Sequence, residues 1–517
     1  MVIGAGISGG TIARELSRYA LRVAVLERAS DIPYGASRAN SSMIHGGFDD
    51  KPGTQKARFC PRGNKLYKTL HEELDFKYHN CGSYVCAIGP EEEKHLTMLL
   101  SYGKTNGVPG LEIVNGEILR GREPHASREI TAALWSPTAS IVNNFEASLA
   151  FIDNARTNGV DLFMETEVTG LLFDGIYGLD GIGRLDGIDK SKESKNGERA
   201  RIRGVSTQRG DFTARVVVNA AGVNSDLISR MAGDDSFTIQ PTRGEYFIFD
   251  KSVGDMVKSF FFSCPSDKGK GVTVARTADD NLLVGPSAVA QEDRENRDTT
   301  RLGLEEIFQG AVRLVPGIPR NMAITNFAGV RANSDKEDFY IKALDRPRGF
   351  INVAGIKSPG FTSAPAIALH VVDMMKESLG DLVKFEPNPK FVPERRHIPR
   401  FSELTMEERE HLAKTDPKWG QIVCRCESVT EAQVVEAIRR GARTVAGVKT
   451  WVRPGTGRCQ GGFCAPRVVE ILARELGVAP IEITRHGGDS YMLTGKTKER
   501  MPSERMPSER MPSRRQS

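Results

Sequence analysis

Residues 1–13 read MVIGAGISGGTIA, and this stretch decides the fold of the amino-terminal part of the chain. Apolar residues precede a G-x-G-x-x-G run at Gly4, Gly6 and Gly9, and an amphipathic segment follows it, which predicts a strand, a turn and a helix. A second apolar strand, residues 22–26, ends at Glu27. The glycines allow a pyrophosphate to approach, the helix N-terminus attracts its charge, and the acidic residue accepts ribose hydroxyls. The sequence therefore predicts a dinucleotide site in an α/β domain.

The strand that opens this motif is predicted to be short. Only Met1, Val2 and Ile3 precede the first glycine, whereas buried parallel strands usually have about five or six residues. A truncated central strand is expected to weaken the sheet and to lower the occupancy of the cofactor.

Length and composition narrow the class of protein further. The chain has 517 residues, enough for two to four domains, with 39% hydrophobic and 26% charged residues, as in globular proteins. The formal net charge is only +5, which gives no reason to expect a nucleic-acid partner. There is no apolar run of about 18 residues to span a membrane and no basic leader with a cleavage site. We therefore expect a cytoplasmic protein with reduced thiols.

The middle of the chain predicts further α/β structure and a second sheet. Residues 65–74 and 91–103 have helical spacing, and 159–163 and 166–170 are typical of short strands. Residues 215–222 (RVVVNAAG) predict a buried parallel strand that ends at a ligand. Residues 244–249 and 281–286 favour an antiparallel sheet, and the charged run 180–201 predicts a solvated loop. Residues 351–365 predict a strand, a Gly/Pro turn and a helix that begins near Thr362.

The amino-terminal motifs resemble a known superfamily of flavoenzymes. The run from Gly4 through Glu27 to His45-Gly46-Gly47, with residues 51–53 (KPG) after it, is similar to the D-amino-acid-oxidase-like FAD enzymes. It is most similar to their FAD-dependent glycerol-3-phosphate dehydrogenases and L-2-hydroxyglutarate dehydrogenases. The resemblance implies FAD as the cofactor and a small anionic hydroxy compound as the substrate. It implies cofactor contacts at Gly4, Ala5, Gly6, Ile7, Ser8, Gly9, Glu27, Arg28, Ser37, Asn40, Ser41, Val168, Ala221, Gly222, Gly329, Arg331, Gly355, Pro359, Gly360, Phe361 and Thr362.

Three residues are candidates for the chemistry on the substrate. The resemblance places Arg331 opposite the acid group of the substrate, where a guanidinium can grip it with two hydrogen bonds; from the residues alone, a structural ion pair is the alternative. His45 is the candidate general base, because imidazole titrates near neutral pH, although a structural role explains it equally well. Lys357 is a further candidate for anion binding or flavin tuning. Arg243 and Tyr246 could also reach the substrate, but a surface arginine and a core tyrosine are the simpler interpretations.

Four cysteines near the end of the chain predict a metal centre. Cys424 and Cys426, thirty-two further residues, and then Cys459 and Cys464 form a C-x-C and C-x4-C pattern that holds half of the eight cysteines. Four thiolates suit an iron–sulfur cluster or a structural zinc, and spacing alone also leaves a disulfide open. The other four cysteines (Cys60, Cys81, Cys86 and Cys264) are scattered and are expected to be small buried hydrophobic residues.

The cysteine pattern resembles the bacterioferritin-associated-ferredoxin-like domain, which implies a [2Fe–2S] cluster. A cluster tethered to a flavin domain implies that electrons leave through it to a partner protein or quinone. The cysteine domain favours glycerol 3-phosphate as the substrate, because such a domain is found in anaerobic-type glycerol-3-phosphate dehydrogenases. Phe48-Asp49-Asp50 stands where these enzymes often have Arg-Tyr, which argues against a phosphate contact there. The KPG run and Ser358-Pro359-Gly360 are similar to the 2-hydroxyglutarate enzymes, so a 2-hydroxy acid is the alternative substrate. A redox-sensing or iron-handling docking protein is the alternative from another class.

The predicted fold class is α/β: an FAD-binding Rossmann-like domain with an antiparallel-sheet substrate domain, plus a small α-rich iron–sulfur domain. Residues 1–389 form the oxidoreductase, with its two subdomains interleaved, and 390–419 form a linker with one short helix. Residues 420–480 form the [2Fe–2S] domain, and 481–517 form a tail. The tail is expected to be disordered from about residue 498, where Arg-Met-Pro-Ser-Glu repeats begin.

Overall fold

The computed structural model describes residues 1–174, 201–265 and 271–495. The predicted loop at 180–201 lies outside these ranges except for its last residue, and the repeats after residue 498 lie wholly outside them. Within the described residues the chain is mixed α/β, with one mainly parallel sheet, one large mainly antiparallel sheet and a small helical region at the carboxyl end. The predicted fold class is therefore confirmed.

The strands are numbered in chain order. They are β1 Val2–Ile3, β2 Ala24–Leu26, β3 Met43–Ile44, β4 Tyr78–Asn80, β5 Ser83–Ala87, β6 Glu112–Asn115, β7 Ala132–Ser136, β8 Ser140–Val142, β9 Asp161–Phe163, β10 Val168–Asp174, β11 Arg201–Thr207, β12 Gly210–Thr213, β13 Val217–Asn219, β14 Ile239–Phe249, β15 Phe260–Ser263, β16 Thr273–Arg276, β17 Leu282–Gly285, β18 Val289–Ala290, β19 Ala323–Ser334, β20 Tyr340–Ala343, β21 Phe350–Ala354, β22 Ile422–Cys424 and β23 Val429–Thr430.

The α-helices follow the same order. They are α1 Ile7–Ser17, α2 Gly35–Arg38, α3 Gln55–Leu74, α4 Pro90–Thr105, α5 Gly116–Arg122, α6 Asn144–Thr157, α7 Ser225–Met231, α8 Arg301–Leu314, α9 Gly360–Leu379, α10 Met406–Thr415, α11 Glu431–Arg439, α12 Val445–Val452 and α13 Ala465–Leu476. The helices predicted near residues 65–74 and 91–103 are the later part of α3 and most of α4. None of the helices in the described ranges has both the length and the apolar composition to cross a membrane.

The nucleotide motif lies at the centre of the mainly parallel sheet, whose strand order is β20-β21-β13-β1-β2-β9. Strand β1 has only two residues, as predicted, but it is hydrogen-bonded in parallel to β13 on one side and to β2 on the other. Only β20 runs antiparallel. The predicted strand at 215–222 is therefore a buried parallel strand, and the carboxyl ends of β1, β2 and β13 meet at one edge of the sheet, where such folds bind ligands.

The second large sheet is mainly antiparallel. Its path is β18-β14-β17-β16-β15-β5-β7-β6, and β19 pairs with β14 along almost its whole length, from Ile239 opposite Ser334 to Phe249 opposite Ala323. All pairings are antiparallel except that of β15 with β5. Two small sheets, β10-β11-β12 and β3-β8-β4, complete this part of the chain.

The cysteine region shares its hydrophobic core with the nucleotide domain. A continuous cluster of buried side chains runs from Val2 and Val25 through Ile398 to Val434, Trp451 and Ile471. Helix α11 begins with a capping box, because Thr430 and Gln433 satisfy each other's backbone amides. Helix α13 ends at Gly477, whose left-handed conformation is typical of the residue that follows a helix.

Residues 390–419 contain the predicted short helix, α10, but their first part is packed against the body. Arg395 forms an ion pair with Asp153 at 2.9 Å, and Arg400 pairs with the buried carboxylate of Glu146 at 2.9 Å. The backbone amide of His397 donates to Asp75, and its ring lies 3.6 Å from Glu146. Burial lowers the pKa of His397 to about 4, in spite of the opposing effect of Glu146.

Because His397 is buried, we expect the free energy of unfolding to depend on pH. As the pH falls below the ordinary histidine pKa of 6.5, the unfolded chain binds a proton that the folded chain does not bind until about pH 4. Within that window this site should lower the free energy of unfolding by about 1.4 kcal/mol per pH unit. We expect His397→Gln to reduce the change in melting temperature between pH 7 and pH 5, measured by calorimetry. His411→Gln, at an exposed position of α10, is the control, and an equal pH dependence in both variants would contradict this prediction.

Candidate active site and thiol cluster

One large cavity lies between the parallel sheet and the antiparallel sheet. Its volume is about 1130 Å³, above the usual range of small-molecule pockets, which is about 300–1,000 Å³. One end is lined by the glycine turn of β1–α1, and the other end by β14, β19 and the turn before α9. A cavity of this size and composition suits a dinucleotide together with a small substrate.

The amino-terminal motif forms the first end of the cavity. Helix α1 begins at this end without a side-chain cap from Gly6, and Gly6, Ile7 and Ser8 line the cavity. The Ile7 amide donates to Ser37 Oγ at 2.8 Å. The Glu27 carboxylate accepts hydrogen bonds from the amides of Ala5 at 2.8 Å and Ala29 at 2.9 Å. Burial raises the pKa of Glu27, and these amide bonds oppose that rise. The helix N-terminus and a carboxylate held by the backbone are the two groups that bind a pyrophosphate and a ribose.

A substitution at Gly9 tests this end of the cavity. A Cβ atom at Gly9 would lie 1.9 Å from the Gly4 carbonyl oxygen, so any side chain must push the helix away from the turn. We expect Gly9→Ala to cost about 1–3 kcal/mol of stability and to lower the FAD content of the purified protein, measured by calorimetry and absorbance. Gly121→Ala, where a Cβ atom meets no atom within 4 Å, is the control. Full FAD content in Gly9→Ala would contradict the prediction.

The small polar turn after β2 lies along the middle of the cavity. Ser37, Asn40 and Ser41 all line it. Asn40 also shapes the turn, because its side-chain oxygen accepts from the Ser42 amide at 2.7 Å and its amide group donates to the Ser37 carbonyl at 3.0 Å. Arg28 lines the cavity as well and forms an ion pair with Glu295.

His45 is buried in the cavity wall at the second end. Its backbone amide donates to Thr362 Oγ1 at 2.9 Å, which ties the turn after β3 to helix α9. The ring nitrogen Nε2 lies 3.3 Å from Ser358 Oγ, and the ring stands 6.1 Å from that of Phe262. The backbone of His45 is therefore tied to α9, and the Nε2 edge of its ring meets the turn between β21 and α9.

Arg331 projects from β19 into the same end of the cavity. Its guanidinium donates to the Ser287 carbonyl at 3.2 Å and packs over Gly244, where a Cβ atom would lie 2.3 Å from Nη2. None of the described carboxylates forms a salt bridge with it, whereas Arg243 on β14 is buried and pairs with Glu245 at 3.3 Å. Arg243 is thus neither a surface residue nor part of the cavity lining, whereas Arg331 is one of the cations that line the cavity.

The turn before α9 completes this end. Lys357, Pro359, Gly360 and Phe361 line the cavity, and α9 begins at Gly360, two residues before the predicted start, without a side-chain cap. Its amides and dipole therefore favour negative charge at this point of the cavity.

The other predicted contacts divide into two groups. Val168, Ala221 and Gly222 line the nucleotide end of the cavity. The second group lies behind the cavity wall and consists of Ala5, Gly9, Gly329, Gly355 and Thr362. Ala5 and Thr362 form hydrogen bonds there, and Gly9 packs against the Gly4 carbonyl. A Cβ atom on Gly329 would come within 2.2 Å of the Ala39 carbonyl oxygen, and Gly355 has a φ of +66°.

Two further residues line the cavity wall beside the three candidates for the chemistry, and one of them, Tyr246, is the tyrosine that the sequence left as either a core residue or a substrate contact. Ser358 contacts His45, and Tyr246 lines the cavity while its ring stacks on Phe327 at 4.7 Å. The tyrosine is buried, as a core residue would be. Only the pairing of β14 with β19 places its ring at the cavity.

The four cysteines of the C-x-C and C-x4-C pattern lie together as two thiol pairs. Cys426 Sγ donates to Cys459 Sγ at 3.9 Å. The thiol of Cys464 donates to Cys424 and, together with backbone amides of Gly455 and Glu427, lowers the pKa of Cys424 to about 6 against the cost of burial. None of the eight cysteines forms a disulfide.

The arrangement of the quartet as two thiol pairs suits a binuclear cluster. Two pairs of thiolates give each iron of a [2Fe–2S] cluster two ligands. A Cβ atom at Gly457 would lie 2.4 Å from the Cβ of Cys426, so a glycine is needed for the two ligand loops to approach each other.

The fold and its two sites define a redox protein that pairs a dinucleotide cavity with a thiolate centre. Residues 1–374 match the FAD dependent oxidoreductase family (DAO), and residues 422–474 match the BFD-like [2Fe-2S] binding domain. The chain belongs to the DAO family of FAD-dependent oxidoreductases and carries a BFD-like domain. FAD is its flavin cofactor, and a [2Fe–2S] cluster is its metal centre; the glycine turn, Glu27 and the thiol pairs fit them.

Known proteins resemble this chain over its whole length or over its flavin part. It is 43% identical to a glycerol 3-phosphate dehydrogenase of Caloramator mitchellensis, covering 97% of this chain and 99% of the relative. It is 27% identical to an L-2-hydroxyglutarate dehydrogenase of Escherichia coli O17:K52:H18, over 73% of this chain and 93% of the relative. The structure of a dithionite-reduced L-α-glycerophosphate oxidase from Mycoplasma pneumoniae with FAD bound has a TM-score of 0.68 and 27% identity, and the match covers 77% of this chain and 98% of that one.

Proposed function

We propose that this protein oxidises sn-glycerol 3-phosphate to dihydroxyacetone phosphate and passes the electrons through its [2Fe–2S] cluster to an acceptor. The observation that carries the substrate is Arg331, a cation on the cavity wall that forms no salt bridge with a described carboxylate. The 43% identity over 97% of the chain to a glycerol 3-phosphate dehydrogenase supports the same choice. The division into 1–389, 390–419, 420–480 and 481–517 is proposed with it.

The reaction removes one proton and one hydride from the secondary alcohol and leaves a ketone. FAD, when bound, accepts the carbon-bound hydrogen together with its two electrons. The task of the protein is to hold the carbinol carbon in place and to remove the hydroxyl proton. We assign the proton transfer to His45 Nε2, and the binding of the phosphate to Arg331.

Other residues of the cavity would hold the cofactor and set the electrostatic potential around it. The uncapped N-terminus of α9 at Gly360 and the side chain of Lys357 place positive potential at this end of the cavity, where they would stabilise negative charge on a bound flavin. Ser358 orients the His45 ring through its contact with Nε2. At the other end, the turn Gly4–Gly9 and Glu27 hold the nucleotide half of the cofactor.

If Arg331 binds the phosphate of the substrate, replacing it should weaken substrate binding. A bidentate guanidinium–phosphate contact is worth about 1.5–3 kcal/mol, so we expect Arg331→Lys to lower kcat/KM for glycerol 3-phosphate by about 10- to 100-fold. Most of the change should appear in KM, measured with a dye acceptor. Arg301→Lys, at the exposed start of α8, is the control, and an unchanged KM in Arg331→Lys would contradict this role.

The substrate is tested by a direct comparison. Purified protein that contains FAD and the cluster should reduce a dye with glycerol 3-phosphate and should be inactive with L-2-hydroxyglutarate. The second compound is the alternative substrate, because a carboxylate would also fit Arg331 and a dehydrogenase for it is 27% identical to this chain. Turnover with L-2-hydroxyglutarate alone would overturn the proposal. A flavin that neither compound bleaches would favour a redox-sensing protein.

We propose a partner protein or a membrane quinone as the electron acceptor, and a location in the cytoplasm or at the inner face of the membrane. Support for an acceptor comes from the BFD-like domain, since a cluster that takes electrons from a flavin has to give them up to turn over. Sedimentation of the protein with vesicles that contain quinone, compared with vesicles without it, would test the membrane alternative.

A further inference from the structure

The two ligand loops of the cysteine quartet are attached to the flavin body by consecutive residues. Asp250 and Lys251 follow directly after β14. Arg458 binds the Asp250 carboxylate with two hydrogen bonds, Nε to Oδ2 at 2.6 Å and Nη2 to Oδ1 at 2.9 Å. Lys251 Nζ lies 2.8 Å from the carboxylate of Glu427. We call these two ion pairs the cluster dock.

Each ion pair holds one of the two loops that carry the cysteines. Arg458 directly precedes Cys459, and Glu427 directly follows Cys426. These are the two cysteines whose sulfur atoms are in contact at 3.9 Å. The dock therefore fixes the more exposed thiol pair with respect to the end of β14.

The order of the charges makes the dock specific. The body presents an acid and then a base, and the loops present the matching base and acid. A shift that brought Asp250 to Glu427, or Lys251 to Arg458, would place like charges together, which disfavours other positions. Asp250 is further fixed because its side chain accepts from the Ser252 amide at 3.0 Å.

Strand β14 joins the dock to the proposed active site. Tyr246 on this strand lines the cavity, and Thr242 pairs across the ladder with Arg331. From Tyr246 to Asp250 the strand advances by about 13 Å. The thiol centre is thus held at one end of the strand whose other half forms the cavity wall.

From this geometry we infer that Asp250 and Arg458, supported by Lys251 and Glu427, are positioning residues for electron transfer from the flavin to the cluster. The inference rests on the proposed function. Substrate oxidation releases two electrons, and a [2Fe–2S] cluster takes one at a time, so it is reduced twice per turnover and an external one-electron acceptor or a quinone reoxidises it. The dock sets the distance over which each transfer occurs.

Other contacts keep the domain attached when the dock is broken. Thr444 Oγ1 donates to Asp31 at 2.6 Å, and Arg453 lies over the ring of Phe145 at 4.7 Å. The shared hydrophobic core also joins the two parts. Variants of the dock are therefore expected to fold and to retain iron, FAD and the thiol ligands.

The test is the rate of cluster reduction in the complete protein. The flavin is reduced photochemically, without substrate, and the cluster signal is followed by electron paramagnetic resonance after rapid freezing. We expect the double variant Asp250→Asn/Lys251→Gln to slow cluster reduction by about tenfold, the change that one strong charge-assisted pair can make in a docking equilibrium. Bleaching of the flavin by glycerol 3-phosphate should be unchanged. Raising the ionic strength should slow the wild type and not the variant, since Arg458 is 69% exposed.

A charge swap and a matched control separate positioning from folding. Asp250→Arg/Arg458→Asp restores the pair in the opposite sense and should recover most of the rate. Arg474→Gln removes an ion pair of 2.8 Å with Glu431 inside the domain and should have no effect. Wild-type cluster reduction in the double variant, or loss of iron from both the neutralised and the swapped variants, would overturn the inference. Failure of glycerol 3-phosphate to bleach the wild-type flavin would overturn only the proposed function, because photoreduction does not need the substrate.

Discussion

Replacing Cys464 with serine is expected to abolish turnover with a one-electron acceptor while the substrate still reduces the flavin. A serine hydroxyl is a far poorer iron ligand than a thiolate, and the quartet supplies the four ligands that a [2Fe–2S] cluster needs. Cys464 also forms one of the two thiol pairs, with Cys424. The iron content should fall from two per chain to near zero, measured by metal analysis and by the loss of the cluster absorbance.

The same variant tests the order of the electron path. Anaerobic bleaching of the flavin by glycerol 3-phosphate should persist, because the cavity and the thiol centre share no residue. Cys81→Ser, a cysteine outside the quartet, is the control and should retain iron and turnover. If Cys464→Ser kept full activity with the one-electron acceptor, the cluster would not lie on the path.

Replacing His45 with glutamine is expected to lower kcat by about 10²- to 10⁴-fold, the usual contribution of a positioned general base. Glutamine preserves a polar side chain of similar length but cannot take up the hydroxyl proton. The backbone bond from His45 to Thr362 is independent of the side chain, so the turn should keep its shape. FAD content and the KM for glycerol 3-phosphate should change little.

The pH profile separates a base from a structural histidine. In the wild type, kcat/KM should fall as the pH drops below the pKa of the base, because the protonated ring cannot accept a proton. His45→Gln should remove this acidic limb. His79→Gln, at an exposed position of β4, is the control. A loss of less than about threefold, with the acidic limb retained, would contradict the role of His45.

Local patterns predicted those parts of the protein whose chemistry needs residues at fixed spacing. The glycine turn at Gly4–Gly9 is formed by neighbours in the chain, so its geometry follows from the sequence. The strand at residues 215–222 was recognisable because a strand buried on both faces is apolar throughout.

The sequence could not reveal contacts between distant segments. For Ser358 and Tyr246 the sequence did not separate a structural role from a role at the site, because a serine in a turn and a tyrosine in a strand have ordinary structural roles. Arg243 and Arg331 are alike as residues, and only the fold gives one of them the carboxylate of Glu245 and leaves the other facing the cavity. The packing of residues 395–400 against Glu146 and Asp153 was likewise hidden by a Pro-rich, charged composition that is typical of linkers.

By itself, the sequence determined the dinucleotide turn, the buried parallel strand and the thiol quartet, because each depends on short-range spacing. The tertiary structure decided that His45 and Arg331 face one cavity, that the core of the cysteine domain continues into the nucleotide domain, and that Asp250 and Lys251 hold the ligand loops. These features join residues that lie up to hundreds of positions apart. Long-range pairing of this kind follows from how the sheets assemble and leaves no periodic pattern in the chain.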